Sequence, residues 1–264
     1  MPESDDLALL VAAAEAAGVI AKRHFGREPR VWDKGQGQGP VSQADLEIDE
    51  MLREKLRRAR PAYGWLSEES AQALSAGGRR FIIDPIDGTR AYLDGQTGFA
   101  HALAVVEQGM PVAAVIYLPL RDLCYTAARG AGAFRNGEAI SVSARAQVTG
   151  ADLLVARPQL APEHWPGGVP NVTRHFRPSL AWRMALVAEG QFDAMLTLRP
   201  TWHWDSVAGT LLIAEAGGVV SDGCGAALRF DTPEPRSDGV IAAGPVMHAE
   251  LMRRRVGGHA AKGG

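Results

Sequence analysis

From Tyr63 to about Ile140 the chain reads as β-structure, and after Gly150 it alternates strand with helix. "YGWLSEES", "RRFIIDP", "GFAHALAVVEQG", "MPVAAVIYLPL" and "DLCYTAARG" are short apolar runs divided by turn residues, the pattern of adjacent strands. "ALAVVEQGMPVAAVIY" reads as a hairpin around Gly109, with Pro111 complicating its register. Beyond Gly150 come the strand "ADLLVARP", the helix "SLAWRMALVAEG" stopped by Gly190, and the strand "FDAMLTLRP". The helix "DSVAGTLLIAEAGG", stopped at Gly217-Gly218, the strand "DGVIAAG" and a last helix from about Pro245 complete the chain. Two helices precede the β region. The first covers roughly residues 4 to 24, with Ser4 as N-cap and Leu7, Leu10, Val11, Ala14 and Ala17 on one face. The second opens at Ser42, turns Ile48, Leu52 and Leu56 inward and ends at Pro61. This order predicts an α+β half over residues 1–140 followed by an α/β half over residues 141–264.

Composition narrows the function classes. A hydrophobic content of 46% with 22% charged residues is that of a water-soluble globular protein. A net charge of -2 gives no general attraction to a nucleic acid polymer or an anionic membrane. The one basic run, Arg253-Arg254-Arg255, reads as a solvated helix end. Cys124 and Cys224 fit no metal or redox spacing and read as reduced thiols of a cytoplasmic protein. The N-terminal segment is acidic ahead of its apolar part, the wrong polarity for a secretory signal, and no run is long enough to span a bilayer. "KGQGQGPVSQAD" contains G-x-G-x-G, but Pro40 and Val41 follow where a dinucleotide site needs a helix, so it reads as a loop.

The chemistry gathers in acids at element ends. Glu68 and Glu69 close one strand, Asp84 and Asp87 close another, Asp45 lies in the first turn of the second helix and Asp205 opens a later one. Singly, Asp45 reads as a capping-box partner of Ser42 and Asp205 as a complement to a helix dipole. Glu68 and Glu69 are not distinguished at this level. "DPIDGT" resists a bland reading, because a turn needs only one Asp or Asn and one Gly. Two carboxylates held close by Pro85 repel unless a cation neutralises them, and hard divalent cations, Mg²⁺ above all, suit oxygen ligands. No histidine or cysteine pairing suggests zinc. Gly88 and Thr89 add unhindered N–H groups and a hydroxyl suited to phosphate. His101 and His203 lie near apolar elements and read as structural.

Taken in order, "SEES" (67–70), "DPIDGT" (84–89) and "WDSVAGTLLIAEAGG" (204–218) resemble the lithium-sensitive, Mg²⁺-dependent phosphatases of the inositol monophosphatase superfamily. "ARGAGAFRNGEAI" and "VSQAD" resemble further segments of that family, so the likeness spans nearly the whole chain. The resemblance implies a layered αβαβα sandwich, a homodimer, two or three Mg²⁺ ions and a small phosphorylated metabolite as substrate. It implies that Glu68 is a metal ligand and water activator, that Asp84 bridges two metals with the Ile86 carbonyl completing the first, and that Asp87 and Asp205 hold the second. Asp45 would support a third, weaker metal, with Lys34 nearby. Gly88 and Thr89 would bind phosphate, the Thr89 hydroxyl also orienting the attacking water. The basic residue after "DGT" and the "LRP…WD" segment resemble bacterial 3'(2'),5'-bisphosphate nucleotidases, with Arg90 and Arg199 meeting a second phosphate and Trp202 or Tyr92 stacking on a base. Inositol-1-monophosphatase and histidinol-phosphate phosphatase are the alternative activities. A non-catalytic metal- or phosphate-binding relative is the alternative of another class.

Overall fold

The computed structural model describes residues 2–27, 30–33, 35, 39–73 and 78–256; Lys34 lies outside the described residues. Helix α1 (Pro2–His24) starts two residues earlier than the sequence suggests, so Ser4 sits inside its first turn rather than capping it. Proline is at home there because the first helical N–H groups have no acceptor to lose. A short ribbon of β1 (Val31–Asp33) and β2 (Pro40–Ser42) leads into α2 (Gln43–Ala59). Ser42 caps α2 in a capping box with Asp45. Next come β3 (Gly64–Ser67), β4 (Arg79–Asp87), the single turn α3 (Thr89–Leu93), β5 (Ala100–Glu107), β6 (Met110–Leu118), β7 (Leu123–Ala128), β8 (Gly132–Arg135) and β9 (Glu138–Ala139). These strands form one seven-stranded sheet in sequential order, antiparallel except for the parallel pair of β3 and β4. The β5–β6 hairpin shifts register between Val105 and Val106, opposite Pro111, where proline cannot donate to the ladder.

The remaining strands and α-helices are β10 (Ala151–Val155), β11 (Val172–His175), α4 (Leu180–Ala188), β12 (Ala194–Thr197), β13 (Thr201–Trp202), α5 (His203–Glu215), β14 (Val219–Ser221), β15 (Arg236–Ser237), β16 (Val240–Ala243) and α6 (Pro245–Val256). A five-stranded sheet runs β11-β10-β12-β16-β14, with β16 antiparallel to its neighbours, and β13 pairs with β15. The sequence reading lacks β11, whose residues are part-exposed and carry no apolar alternation.

Side-chain alternation along the strands builds the layers. Phe81, Ile83, Leu103 and Val105 pack with Leu10, Ala14, Ile48 and Leu52 of α1 and α2. Their neighbours Ile82, Ala102 and Ala104 face α4 and α5, which are sandwiched against Leu154, Met195 and Ala242 of the second sheet. The far side of that sheet, with Leu153, Leu196 and Ile241, is covered by Met247 and Leu251 of α6. The result is the expected αβαβα sandwich. Among the described residues no helix is long and apolar enough to cross a membrane.

Candidate active site

The two acids of "DPIDGT" are brought together by an irregularity in their strand. In a regular strand, residues three apart point to opposite faces. Here Asp84 pairs with Ala102 and Asp87 with Ala100, so β4 spends one residue more than β5 between those positions. Such a bulge inverts the alternation and turns both carboxylates to one side. Pro85 sits in the bulge, where no N–H is required, and its carbonyl accepts a hydrogen bond from His101 Nδ1. His101 is buried, and burial lowers its pKa to about 4, so it is a neutral prop for the bulge. That is the structural role expected from sequence. His203 is likewise buried and lowered to about 4 by burial, with the Arg80 charge adding to the effect.

Asp205, on the first turn of α5, completes the group. One carboxylate oxygen from each of Asp84, Asp87 and Asp205 lies within 4.8 Å of the others. Asp84 Oδ1 is buried without a hydrogen-bond partner. Burial first, then the charges of Glu68, Asp87, Asp205 and Glu69, pushes the Asp84 pKa well up. Anionic oxygens so placed are what a hard cation neutralises, and an all-carboxylate set with a neighbouring carbonyl suits Mg²⁺ rather than zinc. The donor set therefore fits the metal.

Asp87 differs in having donors of its own. Its Oδ2 accepts hydrogen bonds from the Ser179 hydroxyl and the Ala181 N–H, each at 2.6 Å. Ser179 is the N-cap of α4 and accepts from Trp182 N at 2.9 Å. Burial raises the Asp87 pKa, while these donors pull it back. Asp45 stands apart from the three-carboxylate group. Its Oδ2 accepts from the Ser42 N–H at 2.8 Å and from the Ser42 hydroxyl, and its Oδ1 lies 3.1 Å from Thr89 Oγ1. Burial drives its pKa up to about 6 against those hydrogen bonds. The Thr89 hydroxyl is also 3.0 Å from the Ile86 carbonyl, so its single proton has two acceptors. Gly88, the residue before α3, has φ 98°. A Cβ there would meet its nearest neighbour at 3.5 Å, so the left-handed backbone, rather than crowding, asks for glycine.

Asp84, Asp87, Asp205, Gly88 and Thr89 line one cleft of about 1100 Å³, together with Glu68, Ile86, Arg90 and Arg199, whereas Asp45 is not among its lining residues and reaches the site through Thr89. Glu69, left open against Glu68 by sequence, is not among its lining residues. Beyond the acids the wall is cationic, with Arg121, Arg135, Arg177 and Arg183 joining Arg90 and Arg199. The aromatic part of the expectation needs correction. Tyr92 is buried with its hydroxyl donated to the Ala21 carbonyl at 3.0 Å, so its ring is core. Trp202 lines the cleft, but Trp204 stacks on it at 4.7 Å and the Arg236 guanidinium lies 3.7 Å from its ring centre. Sequence reading missed Ser179, whose only signal was its place as a helix-starting serine. It also missed Arg121, Arg177 and Arg183, which no local spacing connects.

The family model described as the inositol monophosphatase family matches residues 3–259. An inositol-1-monophosphatase of Rhizobium meliloti is 36% identical over 265 residues, covering 96% of both chains. A histidinol-phosphatase of Mycobacterium tuberculosis is 31% identical over 95% of this chain and 97% of that one. The crystal structure of extragenic suppressor protein suhB from Bartonella henselae matches with a TM-score of 0.82 and 32% identity, over 96% of this chain and 99% of that chain.

Proposed function

The chain belongs to the inositol monophosphatase family, and from that premise we propose a Mg²⁺-dependent phosphomonoesterase whose preferred substrate carries a second anionic group. A 3'(2'),5'-bisphosphate nucleotide such as 3'-phosphoadenosine 5'-phosphate is the first candidate. The observation that carries this reading is a single cleft with three converging carboxylates and a wall of arginines. Asp84, Asp87 and Asp205, with Glu68 and the Ile86 carbonyl, would hold the metal. Bound there, Mg²⁺ supplies Lewis-acid chemistry, lowering the pKa of water and offsetting charge on the phosphoryl oxygens.

The chain's own groups do the rest. In this reading the Glu68 carboxylate takes the proton of the attacking water. Asp45 Oδ1 accepts from the Thr89 hydroxyl, leaving the Thr89 lone pairs to orient that water. The backbone N–H groups of Gly88 and Thr89 bind the phosphoryl oxygens. No side-chain nucleophile is required.

Three substrates separate by charge. Histidinol phosphate brings an ammonium, which an arginine-lined wall repels. Inositol 1-phosphate is neutral beyond its phosphate and is the second reading, favoured by the 36% identity to an inositol-1-monophosphatase. A bisphosphate matches the wall's charge. With Tyr92 in the core and Trp202 already stacked, the second anion rather than a base is what the cleft would read. The test compares kcat/KM for 3'-phosphoadenosine 5'-phosphate, fructose 1,6-bisphosphate, inositol 1-phosphate and histidinol phosphate at one Mg²⁺ concentration. The expected order places both bisphosphates first and histidinol phosphate last. Fastest turnover of histidinol phosphate would overturn it, and phosphate release indifferent to a chelator would remove the metal mechanism altogether. The homodimer is part of the proposal and is checked by light scattering.

A further inference from the structure

We propose that Arg121, Arg177 and Arg183, grouped around Trp182 and Phe176 in the cleft wall, form the subsite that receives the non-scissile phosphate of the substrate. The inference rests on the phosphatase reading above and replaces its sequence-derived pair, Arg90 and Arg199, as the principal recognition element. The three arginines come from separate places: the β6–β7 turn, the segment before α4, and α4 itself. All three line the same cleft as the carboxylates.

Their guanidinium groups are held in place by neutral partners. Arg121 lies 4.6 Å and Arg177 5.4 Å from the Trp182 ring centre, and Arg183 lies 4.4 Å from that of Phe176. Arg121 Nε donates to the Thr97 carbonyl at 3.1 Å and Arg177 Nη1 to the Phe176 carbonyl at 2.8 Å. Arg183 donates to the carbonyls of Arg177 and Pro178. A guanidinium has five N–H donors, so these bonds orient each group and leave most of its donors unspent. Among the described residues none of the three forms an ion pair with a carboxylate, whereas Arg135 in the same cleft is paired with Glu189 at 2.8 Å. Arg121 and Arg177 both lie over the one indole of Trp182, which holds two cationic groups at the same place in the wall. Because the groups are already fixed, an anion bound there would cost little ordering entropy.

The subsite is also tied to the reacting end. The first turn of α4, which carries Trp182 and leads into Arg183, donates to Asp87 through Ser179 and Ala181, both at 2.6 Å. The placement of Arg177 and Arg183 relative to Asp87 is therefore fixed by hydrogen bonds at the start of α4, and a substrate would be measured by the separation of its two phosphates.

The test uses two matched pairs, 3'-phosphoadenosine 5'-phosphate against adenosine 3'-phosphate and fructose 1,6-bisphosphate against fructose 1-phosphate. The ratio of kcat/KM within each pair reports the second phosphate alone. Arg121 is exposed and Arg177 part-exposed, so the double variant Arg121→Gln/Arg177→Gln should fold, which a urea titration checks; Arg183 is buried and stays native. Loss of charged hydrogen bonds should lower the ratio about tenfold or more in this variant, with the change mainly in KM. A ratio that persists there but falls in Arg90→Gln/Arg199→Gln would overturn the inference and leave the phosphatase reading standing. A wild-type protein with no preference in either pair would overturn the second-anion reading and the subsite with it.

Discussion

Asp84→Asn should make the chelated protein more stable while abolishing its activity. Two unit charges no more than 4.8 Å apart, as within the carboxylate group, repel by at least about 3 kcal/mol at an effective dielectric constant of about 20. Asp84 has two such neighbours and a buried oxygen with no donor. Protonation caps the penalty: keeping a carboxyl of ordinary pKa 3.8 neutral at pH 7 costs about 4 kcal/mol. Asparagine removes the charge but places an unpartnered amide in the same position, at a cost of about 1 kcal/mol or more. The net gain should be about 1 to 3 kcal/mol, read as a higher urea midpoint at unchanged slope in the presence of a chelator. The sign with pH follows from the raised pKa. The folded state binds the extra proton, so this penalty on the wild type is present at neutral pH and fades as the pH falls towards 3.8. The variant's advantage should shrink in step. With Mg²⁺ in excess the order should reverse, because the cation binds the wild-type fold and much less the variant. If Asp84→Asn is the less stable protein in chelator at pH 7, the account of the site as mutually repelling anions is wrong.

Asp87→Asn should eliminate phosphate release with little loss of stability, since the amide oxygen can still accept from Ser179 and Ala181; near-wild-type hydrolysis at ordinary Mg²⁺ concentration would contradict the assignment. Ser179→Ala should cost about 2 to 4 kcal/mol, combining a lost helix cap with a lost charged hydrogen bond to Asp87. Ser179→Thr should restore most of it, and urea titration distinguishes the two. Acid should destabilise the protein through His101, whose pKa is lowered from 6.5 to about 4. The unfolded chain takes the proton first, so stability is intact above pH 6.5 and falls by about 3 kcal/mol by pH 4. His101→Gln should flatten that part of the pH–stability curve.

What could be read in the sequence was what is local. "FIIDPIDGT" announces a buried strand ending in acids because hydrophobic alternation and turn chemistry are short-range signals, and the capping box of Ser42 and Asp45 is complete within four residues. The change of period along the chain marks helices, then a β region, then alternating strand and helix, while the αβαβα layering came from the family resemblance. The bulge at Pro85 was half visible: the proline stood in the motif, but only pairing with Ala100 and Ala102 shows that it inverts the side-chain alternation. Ser179 and the three arginines were not visible, because Ser179 meets Asp87, and Arg121 meets Trp182, only when distant parts of the chain fold together. Tyr92 was misread for the same reason. Its neighbours in sequence are Gly88 and Thr89, the proposed phosphate-binding residues, while its neighbours in space are α1 and the core.

The hydrogen bonds around the acids divide them in a way that bears on mechanism. Asp45 and Asp87 are buried, and each is supplied by the start of a helix, α2 through Ser42 and α4 through Ser179 and Ala181. These donors lower the cost of each charge, although burial still raises both pKa values, and each acid links an element that frames the cleft to the Gly88–Thr89 turn. Asp84 has a fully buried oxygen with no such donor. A designer seeking stability alone would not place an unpartnered carboxylate between two others, and nothing in the surrounding packing requires an acid there. An external positive charge would account for the position, so on the proposed reading Asp84 is where metal binding and folding stability are most tightly coupled. Substitution at Asp84 should then change the Mg²⁺ dependence of stability more than substitution at Asp45 does, a difference measurable by thermal unfolding across a Mg²⁺ titration.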